Sequence, residues 1–216
     1  MKHNVQRLRL NVTSDVALIA TSLYSFQSLT HLKLSVYSDA ERKTQFPNCF
    51  SLPALTYLKL CIYSNHENLF PDSLDLPALT SLHLQHFTFC VGENECAEPF
   101  STFNRLNSLL INNCTVRGGQ TLRLSSATLI NLTLYDNKYN YYKIDLRTPS
   151  LRTFTFCGNP YQRIFGSNIS SLKHVDIHAE VDSYCRDSPP LFLLSWLIEF
   201  VDIKSLSVTA TTLQVL

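Results

Sequence analysis

The chain has 216 residues, of which 45% are apolar and 16% are charged, and its formal net charge is +1. This much apolar material is enough for a continuous core, which argues against an intrinsically disordered chain. The near balance of 18 basic and 17 acidic residues gives no support for a nucleic-acid-binding or membrane-surface protein, so neither partner is predicted.

A phrase of the form Leu-x-x-Leu-x-Leu recurs along the chain and is clearest at 29–34, 55–60 and 79–84. One such unit cannot bury its own leucines, whereas a stack of units can, so the repeat predicts a solenoid. Seven of the eight intervals between copies are 21 to 27 residues, within the roughly 20–29 residues of a leucine-rich repeat. The last interval is 31 residues, because a helix is predicted there. The first apolar residues of the copies are Val5, Leu29, Leu55, Leu79, Leu106, Leu129, Leu151, Leu172 and Ile203.

Each copy is predicted to form a short strand whose fourth and sixth positions point inward and whose third, fifth and seventh positions point outward. The predicted fold is a β-rich α/β leucine-rich-repeat solenoid, or horseshoe, with a parallel concave sheet. Its convex side is expected to carry mostly short strands and loops, with one or two helices. We expect one domain of roughly nine repeats over 1–216. Because the phrase begins almost at the first residue and breaks off near the last, we expect that domain to be truncated at both ends.

The first predicted convex elements are a helix and two extended segments. The helix is predicted over 16–23, with Ser14 or Asp15 as its N-cap. Short alternating stretches at 122–124 and 144–146 predict brief extended segments in place of long helices.

The corners of the coils also follow a pattern. A Pro-x-Leu triplet precedes three predicted strands, at 53–55, 77–79 and 149–151. Two loops, an acidic one at 91–98 and a tyrosine-rich one at 135–142, are predicted to extend from the edge of the solenoid. Three polar residues at the ninth position of a copy are predicted to donate hydrogen bonds to backbone carbonyls at the corners. They are Cys114, Asn137 and Asn159.

A second helix is predicted to have Ser188 as its N-cap, to open with Pro189 and Pro190 and to end at about 201. The apolar run 191–201 contains Ser195 and Glu199, and its length of about eleven residues is too short to cross a bilayer, which needs about 20. The apolar face of this helix is therefore expected to pack on the adjacent coil and not on a membrane. That face comprises Leu193, Leu194, Leu197, Ile198 and Val201.

The seven cysteines are odd in number and contain no Cys-x-x-Cys pair. This argues against a disulfide framework. We predict reduced thiols, some of them packed as small hydrophobes, in an intracellular protein of the cytoplasm or nucleus.

One cluster of polar residues resembles a metal site at first sight. His174, Asp176 and His178 share one face of a predicted strand. Residues four apart on a strand are roughly 13 Å apart, however, so both histidines cannot bind one zinc ion at about 2 Å. We therefore predict that these three are surface polar residues. For the protein as a whole we predict no bound metal, no cofactor and no enzymatic activity.

The outward positions of the repeats are the predicted binding surface. The central column, formed by the fifth positions, changes from basic to neutral to acidic along the stack. It reads Arg9, Lys33, Lys59, His83, Leu110, Thr133, Thr155 and Asp176. The residues predicted to contact a partner protein are Arg9, His31, Lys33, Tyr57, Lys59, His83, Gln85, Tyr135, His174 and Asp176.

We hypothesise that the N-terminal half of this concave face contacts an acidic segment of a partner. Strands lie about 4.8 Å apart, so Arg9, Lys33 and Lys59 would form a continuous basic stripe. Tyr57 and Tyr135 would serve as aromatic anchors. The alternative is a solvated sheet face whose charges only keep the protein soluble.

The amino-acid sequence of the repeats resembles the leucine-rich-repeat region of plant F-box proteins, a group that often carries a C-terminal FBD segment. The resemblance lies in Ser-Leu-Thr-His-Leu-Lys-Leu at 28–34, in Phe-Ser-Leu-Pro-Ala-Leu-Thr-Tyr-Leu-Lys-Leu at 50–60, and in 205–216, and it covers nearly the whole chain. It implies a substrate receptor of an SCF-type (cullin–RING) ubiquitin ligase. In that family the F-box binds a Skp-type adaptor, and the repeats bind the protein to be ubiquitinated.

The resemblance implies only the recognition half of such a receptor. No F-box-like segment precedes Val5 and no FBD-like segment follows Leu216, so the adaptor and cullin would be joined only through an F-box that this sequence lacks. The alternative is a standalone intracellular leucine-rich-repeat scaffold with no ligase link. The secreted and receptor class of plant repeats is disfavoured, because its Gly-x-Ile-Pro phrase does not occur here.

Overall fold

The computed structural model describes residues 4–13, 23, 25–37, 49–64, 66–71, 73–92, 95–119, 121–136, 142–160, 162–166, 169–179, 191–200 and 202–213. Over these ranges the protein is a parallel β-solenoid with few helices. Neither helix that lies fully within these ranges is long and apolar enough to cross a membrane.

The secondary structure is almost entirely short strands. In chain order they are β1 (Arg7–Val12), β2 (His31–Tyr37), β3 (Cys49–Ser51), β4 (Tyr57–Tyr63), β5 (Ser73–Asp75), β6 (Ser81–Gln85), β7 (Thr88–Phe89), β8 (Cys96–Ala97), β9 (Ser108–Asn112), β10 (Thr115–Val116), β11 (Thr121–Ser125), β12 (Asn131–Asp136), β13 (Lys143–Arg147), β14 (Thr153–Gly158), β15 (Arg163–Gly166), β16 (His174–Ala179) and β17 (Ser205–Val208). Two α-helices lie fully within the described residues, α1 (Leu191–Glu199) and α2 (Ala210–Leu213), together with a 3-10 helix at Arg117–Gly119.

One nine-stranded parallel sheet contains the strands of the recurring phrase, in the order β1-β2-β4-β6-β9-β12-β14-β16-β17. Equivalent positions of neighbouring copies are paired, as where Leu58 of β4 lies beside Leu32 of β2 and Leu82 of β6. From β2 to β16 the fourth and sixth positions point into the core, and none is more than 3% exposed. This confirms the predicted inward positions. At the end strands the burial is less complete, and Leu206 is 43% exposed.

The corner before each strand of this sheet, from β2 to β17, repeats one hydrogen-bonding arrangement. The backbone amides of Thr56 and Tyr57 both donate to the carbonyl of Thr30, at 2.9 and 3.0 Å. The Thr56 hydroxyl donates to the same oxygen at 3.0 Å, and Thr80 does the same to the carbonyl of Thr56. These bonds satisfy buried backbone groups between coils, which would otherwise destabilise the solenoid.

The Pro-x-Leu triplets form tight turns. The amide of Leu55 donates to the carbonyl of Leu52 at 3.1 Å, which places Pro53 at the second position of a four-residue turn. Proline favours that position because its ring holds φ near −65°. The same turn precedes the strands that follow Leu79 and Leu151.

The opposite side of the solenoid is built from smaller parallel sheets, β3-β5, β7-β10 and β15-β13-β11-β8. The segments predicted to be extended at 122–124 and 144–146 lie in β11 and β13, so that prediction is confirmed. On the outer face of the four-stranded sheet β15-β13-β11-β8, Asp145 is buried between two arginines. Its Oδ2 accepts from Arg123 Nε at 2.8 Å and from Arg147 Nε at 3.1 Å.

The second predicted helix is present as α1, but its predicted apolar face is wrong in part. Leu193 is fully buried as expected, whereas Leu194 and Ile198 are 40% and 74% exposed. The buried stripe instead includes Trp196 and Phe200, because residues three, four and seven apart share a helix face. Leu197 is partly buried against the core, and the fifth member of the predicted face, at position 201, lies outside the described residues.

The other local predictions have mixed outcomes. Cys114 Sγ donates to the carbonyl of Asn112 at 3.5 Å, as predicted for a corner residue. Asn159 is buried. Three predictions fall outside the described residues: the corner residue at 137, the core of the tyrosine-rich loop and most of the first predicted helix. Within the range of that helix, Leu23 is described, and it is helical and buried.

Candidate functional site

The solvent-facing side of the nine-stranded sheet, which the sequence predicted to be concave, displays the outward positions in lateral rows. In one row Arg9 lies beside Lys33, Lys33 beside Lys59, and Lys59 beside His83. The row continues through Leu110, Thr133 and Thr155 to Asp176, and then to Ser207, which the sequence argument did not include. The predicted central column therefore exists in the predicted order.

The first three members of this row form a basic group that we call the basic row: Arg9, Lys33 and Lys59. Arg9 and Lys33 are exposed and Lys59 is partly buried. None of the ion pairs found among the described residues involves any of the three. Neighbouring strands are about 4.8 Å apart, so three positive charges stand close together without a described acidic partner.

An aromatic cluster lies beside the basic row. The rings of His31 and Tyr57 are stacked at 5.7 Å, and Tyr57 contacts His83 edge to face at 5.4 Å. Tyr57 Oη lies 3.4 Å from His83 Nδ1. Lys33 Nζ lies 5.7 Å from the centre of the Tyr57 ring, within range for a cation–π contact. Four of the predicted contact residues are thus brought together.

His83 is electrostatically coupled to this cluster. Burial lowers the pKa of His83, and the charges of Lys59 and Lys33 lower it further. Burial disfavours the charged imidazolium because it loses water, and the two ammonium groups repel it.

We expect the His83→Gln variant to reduce the acid sensitivity of folding. In the unfolded chain the histidine takes up a proton near pH 6.5. In the folded protein its pKa is lowered, so it takes up that proton only at a lower pH. The unfolded state therefore binds more protons in that window, and the free energy of unfolding falls as the pH falls below about 6.5. Denaturant unfolding at about pH 7.5 and 5.5 checks this. An equal loss of stability in wild type and variant would contradict the prediction.

Cys61 is placed differently from the sequence expectation. It occupies the seventh, outward position of its copy, which predicts an exposed side chain, but it is only 2% exposed. Its Sγ donates to Gln85 Oε1 at 3.4 Å, so Gln85 covers it. Burial raises the pKa of the Cys61 thiol. The pKa of Tyr57 is also raised, first by burial of the phenol and then, to a smaller extent, by the nearby Cys61.

Tyr57 and Tyr135 do not form one anchor site. Tyr57 lies on β4 and Tyr135 on β12, three strands further along the sheet, which is roughly 14 Å. Tyr135 also lies four residues further along its strand than the position level with Tyr57, which adds an offset of roughly 13 Å in that direction. Tyr135 is exposed and belongs to a different neighbourhood, where the nearby Cys157 raises its pKa. It remains a predicted contact, separate from the basic row.

His174 and Asp176 lie further still, on β16. Asp176 Oδ1 pairs with His178 Nε2 at 3.1 Å, and both side chains are exposed. In the part of the chain that the structure describes, no three His, Cys, Asp or Glu residues are arranged to hold a metal ion.

A second group of aromatic residues was missed by the sequence argument. Tyr37 and Tyr63 are stacked at 4.8 Å with ring planes 10° apart, and Tyr63 contacts His86 edge to face at 5.6 Å. The signal was present, since a tyrosine occupies the ninth position of two successive copies. A cavity of about 650 Å³ opens beside Tyr63 and His86.

The site can therefore attract and orient an anionic, extended ligand, since a row of cations lies beside an aromatic cluster. Compared with known proteins, the chain matches no family model, no curated protein and no solved structure.

Proposed function

We propose that this chain is a non-catalytic protein-binding module of the leucine-rich-repeat type. In this proposal it supplies the substrate-recognition repeats of an F-box-type receptor of an SCF ubiquitin ligase. The observation that carries the binding role is the basic row of Arg9, Lys33 and Lys59 beside Tyr57, on the solvent-facing side of the sheet. The recurring phrase and the parallel solenoid support the repeat type, and the wording of the repeats supports the ligase link.

An acidic segment of the partner would lie across the strands, with its carboxylates over the basic row. The strands that carry the three cations are about 4.8 Å apart, a spacing below the roughly 8 Å over which charges interact at physiological salt. Charge complementarity of this kind increases the association rate and fixes the register of the bound segment. Tyr57 adds a rigid surface that holds Lys33 in place at low entropic cost.

The Lys33→Glu/Lys59→Glu double variant is expected to lose the partner. Reversing two adjacent charges places like charges opposite the acidic segment, and the affinity should fall at least about tenfold. The readout is the set of proteins captured from cell extract, quantified against wild type, followed by direct affinity measurement for each protein lost.

The matched control is Lys143→Glu/Arg163→Glu. These two exposed residues are also lateral neighbours, but they lie on the sheet at the opposite side of the solenoid. The control carries the same change of net charge and should retain the partner. Capture that is unchanged in Lys33→Glu/Lys59→Glu would leave a merely solvated sheet face as the better interpretation.

The ligase link has its own test. In the protein as expressed from its full-length transcript, the proposal expects a Skp-type adaptor to co-purify through an F-box outside this chain. An intact binding surface without any adaptor would favour the standalone scaffold instead.

A further inference from the structure

The central row of the sheet changes character directly after the basic row. His83 lies beside Lys59, Leu110 lies beside His83, and Thr133 follows Leu110. These last three side chains are partly exposed on the solvent-facing side of the sheet. The row therefore passes from three cations to three side chains that carry no permanent charge.

Leu110 differs from the other outward residues of this sheet. At the third, fifth and seventh positions of the copies from β1 to β16, every other residue is charged, polar, aromatic or cysteine. A single exposed leucine is common on protein surfaces, so its exposure alone says little. Its position is informative, because it lies level with the basic row and two strands from Lys59.

The neighbours of Leu110 surround it with uncharged side chains. Burial and the two nearby lysines lower the pKa of His83, so its imidazole is neutral at about pH 7.5. Thr133, on the other side, carries a methyl group and no charge. The outward neighbours on the same strand are Ser108 and Asn112. An apolar side chain can therefore be buried against Leu110 without removing a charge from water.

The spacing along the row matches that of an extended chain laid across the strands. Lys33 and Leu110 are three strands apart, which is roughly 14 Å. Four residues of an extended chain cover about the same distance, and side chains two and four positions apart point to the same face. The middle one of three such side chains would lie roughly 7 Å from the first, where the long side chain of Lys59 can meet it.

We infer that the partner segment has the pattern acidic-x-acidic-x-apolar, an inference that rests on the proposed function. Its two acidic side chains lie over Lys33 and Lys59, and its apolar side chain, such as leucine, lies over Leu110. The segment crosses the strands, and the two intervening side chains face solvent. Leu110 then determines specificity, because the basic row alone would accept any acidic segment.

The test uses synthetic peptides, which are titrated into the protein at low salt while amide chemical shifts are followed by NMR. The matched probe is acetyl-Gly-Glu-Ser-Glu-Ser-Leu-Gly-amide. The shifted probe exchanges the leucine with the serine before it, which keeps composition and charge but turns the leucine to the opposite face. The serine probe has serine in place of leucine. Each probe is also made in reverse order, and the direction that binds more tightly is compared, because both directions place the three side chains on one face.

The matched probe should bind about fivefold more tightly than the shifted and serine probes, because only its leucine loses water against Leu110. The Leu110→Thr variant should remove this preference without damage to the fold, since threonine occupies the same position in the next two copies. The control is Thr155→Val, which lies in the same row but two strands beyond Leu110. It should leave the affinities of all three probes unchanged.

Equal affinity of the three probes for the wild type would overturn the inference, and so would a preference for the matched probe that persists in Leu110→Thr. The Lys33→Glu/Lys59→Glu variant separates this result from failure of the proposed function. If all probes bind the wild type equally but bind that variant more weakly, the basic row stands and the leucine contact is wrong. If no probe binds the wild type up to about 5 mM, or none is weakened in that variant, both proposals are wrong.

Discussion

Replacing Trp196 by alanine is expected to lower the free energy of unfolding by about 3–5 kcal/mol. The indole is fully buried and packs edge to face on Phe156 of the nine-stranded sheet at 4.8 Å. Its Nε1 donates to the backbone carbonyl of Gln162 at 2.9 Å. Truncation therefore leaves a cavity between α1 and the coils and also removes the donor from a buried carbonyl.

The control for this variant lies on the same helix. Ile198 is 74% exposed, so Ile198→Ala should change stability by no more than about 0.5 kcal/mol. Thermal and denaturant unfolding measure both. If the two variants lost similar stability, α1 would not be attached to the solenoid through Trp196.

Replacing Asp145 by asparagine is expected to lower the free energy of unfolding by about 2–3 kcal/mol, the second-largest of the predicted effects. The carboxylate is buried and accepts hydrogen bonds from Arg123 and Arg147. The bond to Asp145 raises the pKa of Arg123, as expected where the carboxylate favours the charged guanidinium. Removing one partner of a buried pair costs about 3–5 kcal/mol, and partial exposure of both arginines reduces that value here.

The matched substitution is Asp75→Asn on another strand of the same side of the solenoid. Asp75 is exposed and accepts one hydrogen bond from Ser51 at 2.7 Å. Loss of this hydrogen bond should lower the free energy of unfolding by less than about 1 kcal/mol. Equal effects of Asp145→Asn and Asp75→Asn on the unfolding midpoint would mean that the Asp145 cluster is no more stabilising than a surface contact.

The sheet and its register follow from the repeat because identical units stack in only one way that buries every leucine. A shift by one residue would turn Leu58 and its equivalents to solvent. For this reason the order of the row from Arg9 to Asp176 could be written from the sequence alone. The extended segments of the opposite side followed from their alternation, for the same reason.

The register predicts which residues are lateral neighbours, but it does not predict how their side chains meet. Gln85 covers Cys61, and the two residues are 24 positions apart in the chain. Tyr37 stacks on Tyr63 across a similar separation. Which rings meet depends on rotamers and on the exact twist between strands, and neither is encoded in the period of the repeat.

The sequence by itself determined a stack of parallel strands with a leucine core and a row that runs from basic to acidic. That follows from periodicity, because hydrophobic burial acts on every copy alike. The tertiary structure alone decided which face of α1 is buried, how Asp145 is neutralised, and that a cavity opens beside Tyr63 and His86. Those features depend on contacts between residues distant in the chain, where packing and hydrogen bonding select one arrangement among several that the pattern allows.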